Sequence, residues 1–322
     1  MNARIKVSVL MAAYNEPIEW ICTSIDSMLS QTNCAYAVEL ILVLDNPKRD
    51  GLFEDLKQRY GNRLIIFKNV ENVGLARSLN KAFSLSSGDY LARMDADDIS
   101  LPHRLAEQVN YLEKHQDVAL VGGGIERFRH GVDSSIATIS DDFSLLKKLI
   151  KFRTIAFHPT WCLRRSVFEA LGGYNPLPVS QDFDFLYRLL RHGYRVGNLQ
   201  NVVLKYRSSD KNTSAKKSLI QRKVHYLVSH KLYAKDTKYD ARKVDEYLNS
   251  SKIIKSSHEL SEKIFGRGMA LRKSNPVIAI LLIAISALVS PYQAYFLSNN
   301  AISRLVIFLH KQRPFSKRRA SR

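Results

Sequence analysis

The chain has 322 residues, 45% of them hydrophobic and 25% charged, enough for one large core and a smaller appendage. Its formal charge of +19 is unevenly spread: residues 1–150 hold 17 Lys+Arg against 20 Asp+Glu, and residues 151–322 hold 32 against 10. The first part is about neutral, whereas the second expects a polyanionic partner; charge alone leaves open whether that is nucleic acid, anionic lipid or a phosphate-rich substrate.

Met1 to Lys6 carries neither a long apolar core nor a small-residue cleavage site, so export is not expected. Val7 to Ala13 is a nearly continuous apolar run, the pattern of a strand buried on both faces of a parallel sheet. Behind Pro17, apolar residues from Ile18 to Leu29 recur at helical spacing. The alternation predicts further strands at Val38 to Leu44, Leu64 to Phe67 and Tyr90 to Met94, with helices near Leu52 to Tyr60 and Leu75 to Phe83. This is the order of a doubly wound α/β sheet. Later helices are expected from near Pro102, over Phe143 to Lys151, Ser166 to Leu171 and Phe183 to Arg191, and within the polar, Lys-rich stretch 208–272. Cys22, Cys34 and Cys162 lack paired spacing, which argues against a disulfide framework and a zinc cluster and fits a reducing compartment.

Ligands of such sheets sit beyond the carboxyl ends of the strands. The residues found there are Tyr14, Asn15 and Glu16, then Asp45 and Asn46, then Asn69 to Asn72, then Asp95, Asp97 and Asp98. Asp and Asn also cap helices and make turns, but four polar strand ends in one sheet point to a site. Three carboxylates within Asp95-Ala96-Asp97-Asp98 repel one another unless a cation is present. Hard oxygen donors suit Mg²⁺ or Mn²⁺, with substrate phosphates completing the shell.

Ser8 to Glu16, Asp45, Asn72-Val73-Gly74-Leu75-Ala76 with Asn80, Gly88-Asp89-Tyr90 and Asp95 to Asp98 together resemble the family 2 glycosyltransferases of the GT-A fold. The resemblance continues in order through His158-Pro159-Thr160, Gly172-Gly173-Tyr174 and Gln181-Asp182-Phe183-Asp184 to Tyr206-Arg207, about two thirds of the chain. It implies a mixed, mostly parallel sheet flanked by helices, with residues 1–207 as the catalytic domain. Donor contacts then fall to Ala13, Tyr14, Glu16, Asp45, Asn72, Asp95 and Arg207, metal ligation to Asp97 and Asp98, and the role of base to Asp182. Gln181 stands where the family has a glutamate, and it and His158 are the acceptor-side residues. His158 has a structural reading before Pro159, Arg207 one as a solvated side chain, and Asp182 one as a helix cap, with Asp184 its nearest rival as base. The implied activity is inverting transfer of a single sugar from a nucleoside diphosphate sugar, with UDP favoured, to a lipid-linked glycan in bacterial surface polysaccharide or O-antigen synthesis. The Gln-x-x-Arg-Trp motif of processive members is absent.

Residues 208–275 read as a basic helical region, and 276–322 as an apolar, membrane-associating segment with a basic tail. No charged residue occurs from Ser274 to Ser303. The core Val277 to Val289 is about 20 Å long as a helix, short of the roughly 30 Å hydrocarbon thickness, and Pro291 interrupts its extension. Arg272 and Lys273 before it and Lys311, Arg313, Lys317, Arg318, Arg319 and Arg322 after it favour a peripheral or monotopic arrangement on an anionic cytoplasmic leaflet. A buried core helix or an oligomer contact is the competing reading. Two other functions compete: a nucleic-acid-binding module, which leaves the acidic strand ends unexplained, and a sugar-phosphate nucleotidyltransferase, for which no Gly-rich, Arg-containing loop follows the first strand. No nucleic-acid partner is expected.

Overall fold

The computed structural model describes residues 5–32, 36–129, 132–208, 218–232 and 239–312. Cys34 and all of the basic tail except Lys311 lie outside these. The chain forms two compact units, one drawn from residues 1–147 and 154–210, the other from residues 148–153 and 211–318.

The first unit is built on a mixed sheet. Strands β1 (Lys6–Ala13), β2 (Ala37–Leu44), β3 (Ile65–Lys68) and β4 (Tyr90–Asp95) pair in parallel in the order β3-β2-β1-β4. The inner strands of this group are buried on both faces because helices cover both sides: Val7, Val9, Met11, Leu40, Leu42 and Met94 are buried on one face and Leu10, Ile41, Val43 and Leu91 on the other, with Ser8 and Arg93 the buried polar exceptions. Removing each such side chain from water contributes about 1.5–3 kcal/mol. The helices are α1 (Ile18–Leu29), α2 (Asp50–Tyr60), α3 (Leu75–Ser84) and α4 (Arg104–Lys114). On α1 the buried positions Ile21, Cys22, Ile25 and Met28 recur every three or four residues, the period of one helix face.

Beyond β4 the sheet changes direction. The further strands are β5 (Ile99–Ser100), β6 (Val118–Arg129), β7 (Val132–Ala137), β8 (Cys162–Arg164) and β9 (Arg195–Arg207). β8 is antiparallel to both β4 and β6; β6 runs parallel to β9, β9 antiparallel to β5, and β7 antiparallel to β6. Helices α5 (Phe143–Leu149), α6 (Arg165–Ala170) and α7 (Gln181–Arg191) complete the described helices up to residue 208. Two helix starts differ from the sequence expectation. α4 begins at Arg104 rather than near Pro102, and α7 begins at Gln181 rather than Phe183, placing both acids Asp182 and Asp184 in a first turn that the helix dipole makes favourable to negative charge.

The second unit contains α8 (Ser218–Leu227), α9 (Ala241–Leu248), α10 (Lys252–Leu271), α11 (Pro276–Val289) and α12 (Pro291–Lys311). Pro276 and Pro291 each occupy the first helical turn, where no N–H is needed, and the side chains of Asn275 and Ser290 cap the helices they precede. Among the described residues no helix is long and apolar enough to cross a membrane.

Gly88 leads the chain into β4 by passing against β1. A Cβ there would lie 2.7 Å from Ser8 N and 2.8 Å from Lys6 O, both backbone atoms with no freedom to retreat. Gly88→Ala is therefore expected to lower the unfolding free energy by about 1–3 kcal/mol, measured as a shift in the urea midpoint at unchanged slope.

Candidate functional site

The parallel register brings the polar strand ends together. Ala13 of β1 stands beside Leu44 of β2, and Ala12 stands beside Asp95 of β4, so the loops beginning at Tyr14, Asp45 and Ala96 leave the sheet as neighbours. Ser24 and Ser27 on α1 fix the acidic turn from below: Ser24 Oγ donates to the Asp95 carbonyl at 2.7 Å, and Ser27 Oγ accepts from Ser100 N–H at 3.0 Å.

Carboxylate oxygens of Asp95, Asp97 and Asp98 all lie within 4.8 Å of one another. Asp95 pairs with the guanidinium of Arg93, a buried side chain inside β4. Burial, then the charges of Asp95 and Glu16, pushes the Asp97 carboxyl up to about 7. Burial, then the charges of Asp95 and Asp97, pushes Asp98 up to about 9. Asp98 Oδ1 accepts the Arg207 N–H at 2.8 Å, while Asp98 Oδ2 is buried with no hydrogen-bond partner among the described residues. Three close oxygen donors, one of them orphaned, in a cluster that cannot keep its full negative charge unaided, fit a hard divalent cation.

The other residues singled out from the sequence fall into three groups. At the first two strand ends, Tyr14 is exposed, Glu16 Oε2 accepts the Tyr14 N–H at 2.6 Å, and Ala13 is buried with its carbonyl accepting Asp45 N–H at 2.8 Å. Asp45 is buried and already engaged: Oδ1 accepts from Asn69 Nδ2 at 2.7 Å and Val73 N–H at 2.9 Å, and Oδ2 accepts from Gly74 N–H at 2.9 Å. It thus organises the loop leading into α3, with one acceptor position of about four to spare; Asn72 in that loop is exposed.

Arg207 closes the far side of the acidic turn. Its Nε donates to the Asp97 carbonyl at 2.8 Å, and its guanidinium carbon lies 4.4 Å from the Trp20 ring centroid and 4.7 Å from that of Phe128. Aromatic stacking fixes the guanidinium plane, so this side chain is ordered rather than freely solvated.

The residues expected on the acceptor side lie beside an aromatic layer of Trp161, Phe168, Tyr174 and Phe185, whose ring centroids lie 5.3–5.8 Å apart in successive pairs. His158 Nε2 shares a hydrogen bond with Tyr174 Oη at 2.9 Å and is held well below the ordinary imidazole range by burial and, secondarily, by Arg93. Gln181 is buried. Asp182 is half-buried in the first turn of α7, and burial raises its carboxyl above the usual range; Arg93 opposes that shift and Asp95 adds to it, which puts Asp182 within electrostatic reach of the acidic cluster. Asp184 points elsewhere. It is fully buried and accepts from Arg188 Nε at 2.9 Å and Asn175 Nδ2 at 3.0 Å, while Arg188 also donates to the Leu171 and Gly173 carbonyls.

Two residues near the cluster went unassigned in the sequence. Arg93 offers Nε and Nη1, both buried and without a hydrogen-bond partner among the described residues. The available signal was a single basic residue within the apolar strand Tyr90–Asp95. Tyr206 is pushed up to about 12 by burial and then by the charges of Asp95, Asp98 and Asp97, so its hydroxyl stays protonated beside the acids.

Residues 8–172 match the model of the family described as Glycosyl transferase family 2. The putative glycosyltransferase EpsE of Bacillus subtilis is 35% identical over 215 residues, covering 64% of this chain and 74% of that protein. The O-antigen biosynthesis glycosyltransferase WbnJ of Escherichia coli is 30% identical over 211 residues, covering 64% and 81%. Among solved structures, the mannosyltransferase PcManGT of Pyrobaculum calidifontis, in complex with GDP-Man and Mn²⁺, superposes with a TM-score of 0.57 at 20% identity, covering 94% of this chain and 88% of that one. The chain belongs to family 2 of the glycosyltransferases and has the GT-A fold.

The packing separates the two neighbouring acids of α7. Asp184→Asn leaves the Arg188 cation buried without its carboxylate and is expected to cost about 3–5 kcal/mol of stability, read from denaturant unfolding. Unchanged stability would show that the pair does not hold the Leu171–Tyr174 turn.

Proposed function

We propose that this glycosyltransferase moves one sugar from a nucleoside diphosphate sugar onto a lipid-linked glycan of a bacterial surface polysaccharide, by direct displacement with inversion. The observation that carries this is the placing of Asp182, a carboxyl with a raised pKa, within electrostatic reach of a cation-fitted acid cluster, with the buried Arg93 acting on both. The names of EpsE and WbnJ, glycosyltransferases of which the second is named for O-antigen synthesis, support the choice of acceptor.

In this reading Asp97 and Asp98 would hold a divalent ion, Mn²⁺ or Mg²⁺, and Asp95 would contact the donor ribose. Bound there, the ion supplies Lewis-acid neutralisation of the charge that develops on the leaving diphosphate. Tyr14 presents an exposed ring to the nucleoside base, and the Asp45-braced loop with Asn72 borders the same pocket. Arg93 turns its two spare N–H groups toward the donor, pairs with Asp95 and favours the ionised form of Asp182. Asp182 accepts the proton of the acceptor hydroxyl as that oxygen forms its bond to the anomeric carbon. The bond from that carbon to the diphosphate oxygen breaks on the opposite face, and the nucleoside diphosphate leaves with the electron pair. His158 is the neutral partner of Tyr174 and, with Gln181, shapes the acceptor side.

Asn matches Asp in size and keeps an oxygen that can accept the Phe183 N–H, so Asp182→Asn isolates the base. Transfer is expected to fall about 10²–10⁴-fold, while donor and metal binding, followed by thermal shift across UDP- and GDP-sugars, persist. Near-normal turnover at saturating substrates would exclude the assignment. Because burial raises the Asp182 pKa and the carboxylate is the active form, the acidic limb of the wild-type rate profile should lie above the ordinary aspartate range.

The raised Asp97 and Asp98 values set the sign of a second dependence. Without a cation near neutral pH Asp98 holds a proton and Asp97 is about half protonated, and both must release protons to bind one, so Mn²⁺ affinity should rise from pH 6 to pH 8 with protons expelled. Calorimetry in two buffers of different ionisation enthalpy measures this; a flat affinity with no proton release would remove these carboxylates from the ligand set.

A further inference from the structure

Three helices of the second unit, α10 to α12, bury polar and small residues and expose apolar ones, whereas α8 and α9 bury Val224, Leu227 and Val244 in the ordinary way. In a protein surrounded by water, a helix turns its apolar face inward and its polar face out. Here the buried positions of α10 are His258, Ser261 and Gly268, those of α11 are Ala279 and Ser286, and those of α12 are Gln293, Asn299, Ser303 and His310. Several of these polar groups find partners in neighbouring helices, while Gln293 Nε2 is buried with no hydrogen-bond partner among the described residues. Ser261 Oγ donates to the Ser286 carbonyl at 2.7 Å, His258 Nδ1 meets Ser290 Oγ at 2.9 Å, and Arg222 of α8 bonds Gln293 and pairs with Glu262 at 2.8 Å.

The outer surface is correspondingly apolar. Val277, Ile280, Leu281, Ile285 and Leu288 all lie exposed on α11, Leu288 at 87%, and their spacing makes one continuous stripe. Leu305, Phe308 and Leu309 extend the pattern on α12. Polar groups paired inside and hydrocarbon outside is the arrangement imposed by a lipid surround, where an unpaired polar group has no water to turn to.

Charge distinguishes a bilayer from a second copy of the chain. Between Lys263 and Gln312 there are six basic residues and no acidic one, and Lys263, Arg267, Arg272, Lys273, Arg304 and Lys311 are all exposed. Self-association through this face would set like charges against like, whereas anionic headgroups beside an acyl layer complement both the cations and the stripe. Fourteen helical residues extend about 21 Å, less than the roughly 30 Å hydrocarbon core. We infer that the outer face of α11, with the distal part of α12, lies in the plane of an anionic bilayer at the boundary between headgroups and acyl chains, held by the flanking cations. This docking is independent of the transfer chemistry proposed above.

The test is flotation of the full chain with vesicles of phosphatidylcholine alone and of phosphatidylcholine mixed with phosphatidylglycerol, alongside light scattering of the vesicle-free protein. Wild type should float with the mixed vesicles and much less with the neutral ones. Ile280→Gln/Leu281→Gln/Leu288→Gln alters only exposed positions and should lower the bound fraction by about tenfold or more. Arg272→Gln/Lys273→Gln should reduce the preference for anionic lipid. Failure of wild type to float with either vesicle would overturn the inference. So would a vesicle-free dimer that the triple variant dissolves while flotation stays unchanged, since the stripe would then belong to a second copy. Transfer to a soluble acceptor fragment should be equal in wild type and the triple variant, so a failure of the chemistry and a failure of docking are read separately.

Discussion

The site depends on one electrostatic constraint, the confinement of three carboxylates at the end of β4 with too little water to screen them. At an effective dielectric of about 20, two charges some 5 Å apart repel by roughly 3 kcal/mol, more than a hydrogen bond returns. The surrounding structure can be understood as a response to that cost. Arg93 neutralises Asp95 from within the strand, Arg207 braces the backbone of the turn, and Ser24 and Ser27 of α1 tie it to the sheet. The remaining imbalance appears as protons retained on Asp97 and Asp98, which a cation would displace.

The same guanidinium acts on residues beyond the acidic turn. Burial keeps the His158 imidazole neutral and Arg93 adds to that effect, while the same charge opposes the rise at Asp182 and favours its carboxylate as anion. Burial acts the other way on Asp182, and the balance of the two leaves a carboxyl more basic than one in water. Asp184, two residues along the same helix, has a cation of its own in Arg188 and faces the packed turn Leu171–Tyr174. The helical rotation between them turns Asp184 into the packed turn and leaves Asp182 half-buried, free of that ion pair.

What could be read from the sequence follows from how local each signal is. The strands β1, β2 and β4 announce themselves because burial on both faces demands uninterrupted apolar residues, and the acids after β4 stand out against that run. β6 does not, since Gly122-Gly123-Gly124 breaks its pattern; those glycines answer to a neighbour distant in sequence, as a Cβ on Gly124 would come within 2.8 Å of the Asn201 carbonyl. Arg93 was equally hidden. A basic residue in an apolar strand is explained only once β8 and α7 are seen to place Asp182 and His158 within its field. Tyr206 needed the antiparallel pairing of β5 with β9 to reach the acids.

The two units solve opposite problems with the same rules. In the first, apolar side chains fill the interior and the polar groups gather where the sheet runs out, so chemistry is concentrated at one edge. In the second, composition alone shows a charge-free stretch but cannot say which face of it is covered. The packing supplies that answer: in α10 to α12 serine, glutamine, asparagine and histidine take the most buried positions, and Val277, Ile280, Leu281, Ile285 and Leu288 are left outside. A polar interior gains little from expelling water, because each buried group gives up bonds to solvent for bonds to its neighbours. Such a unit is favoured where the outside is not water, and there its apolar face adds stabilisation that an aqueous surround would withhold.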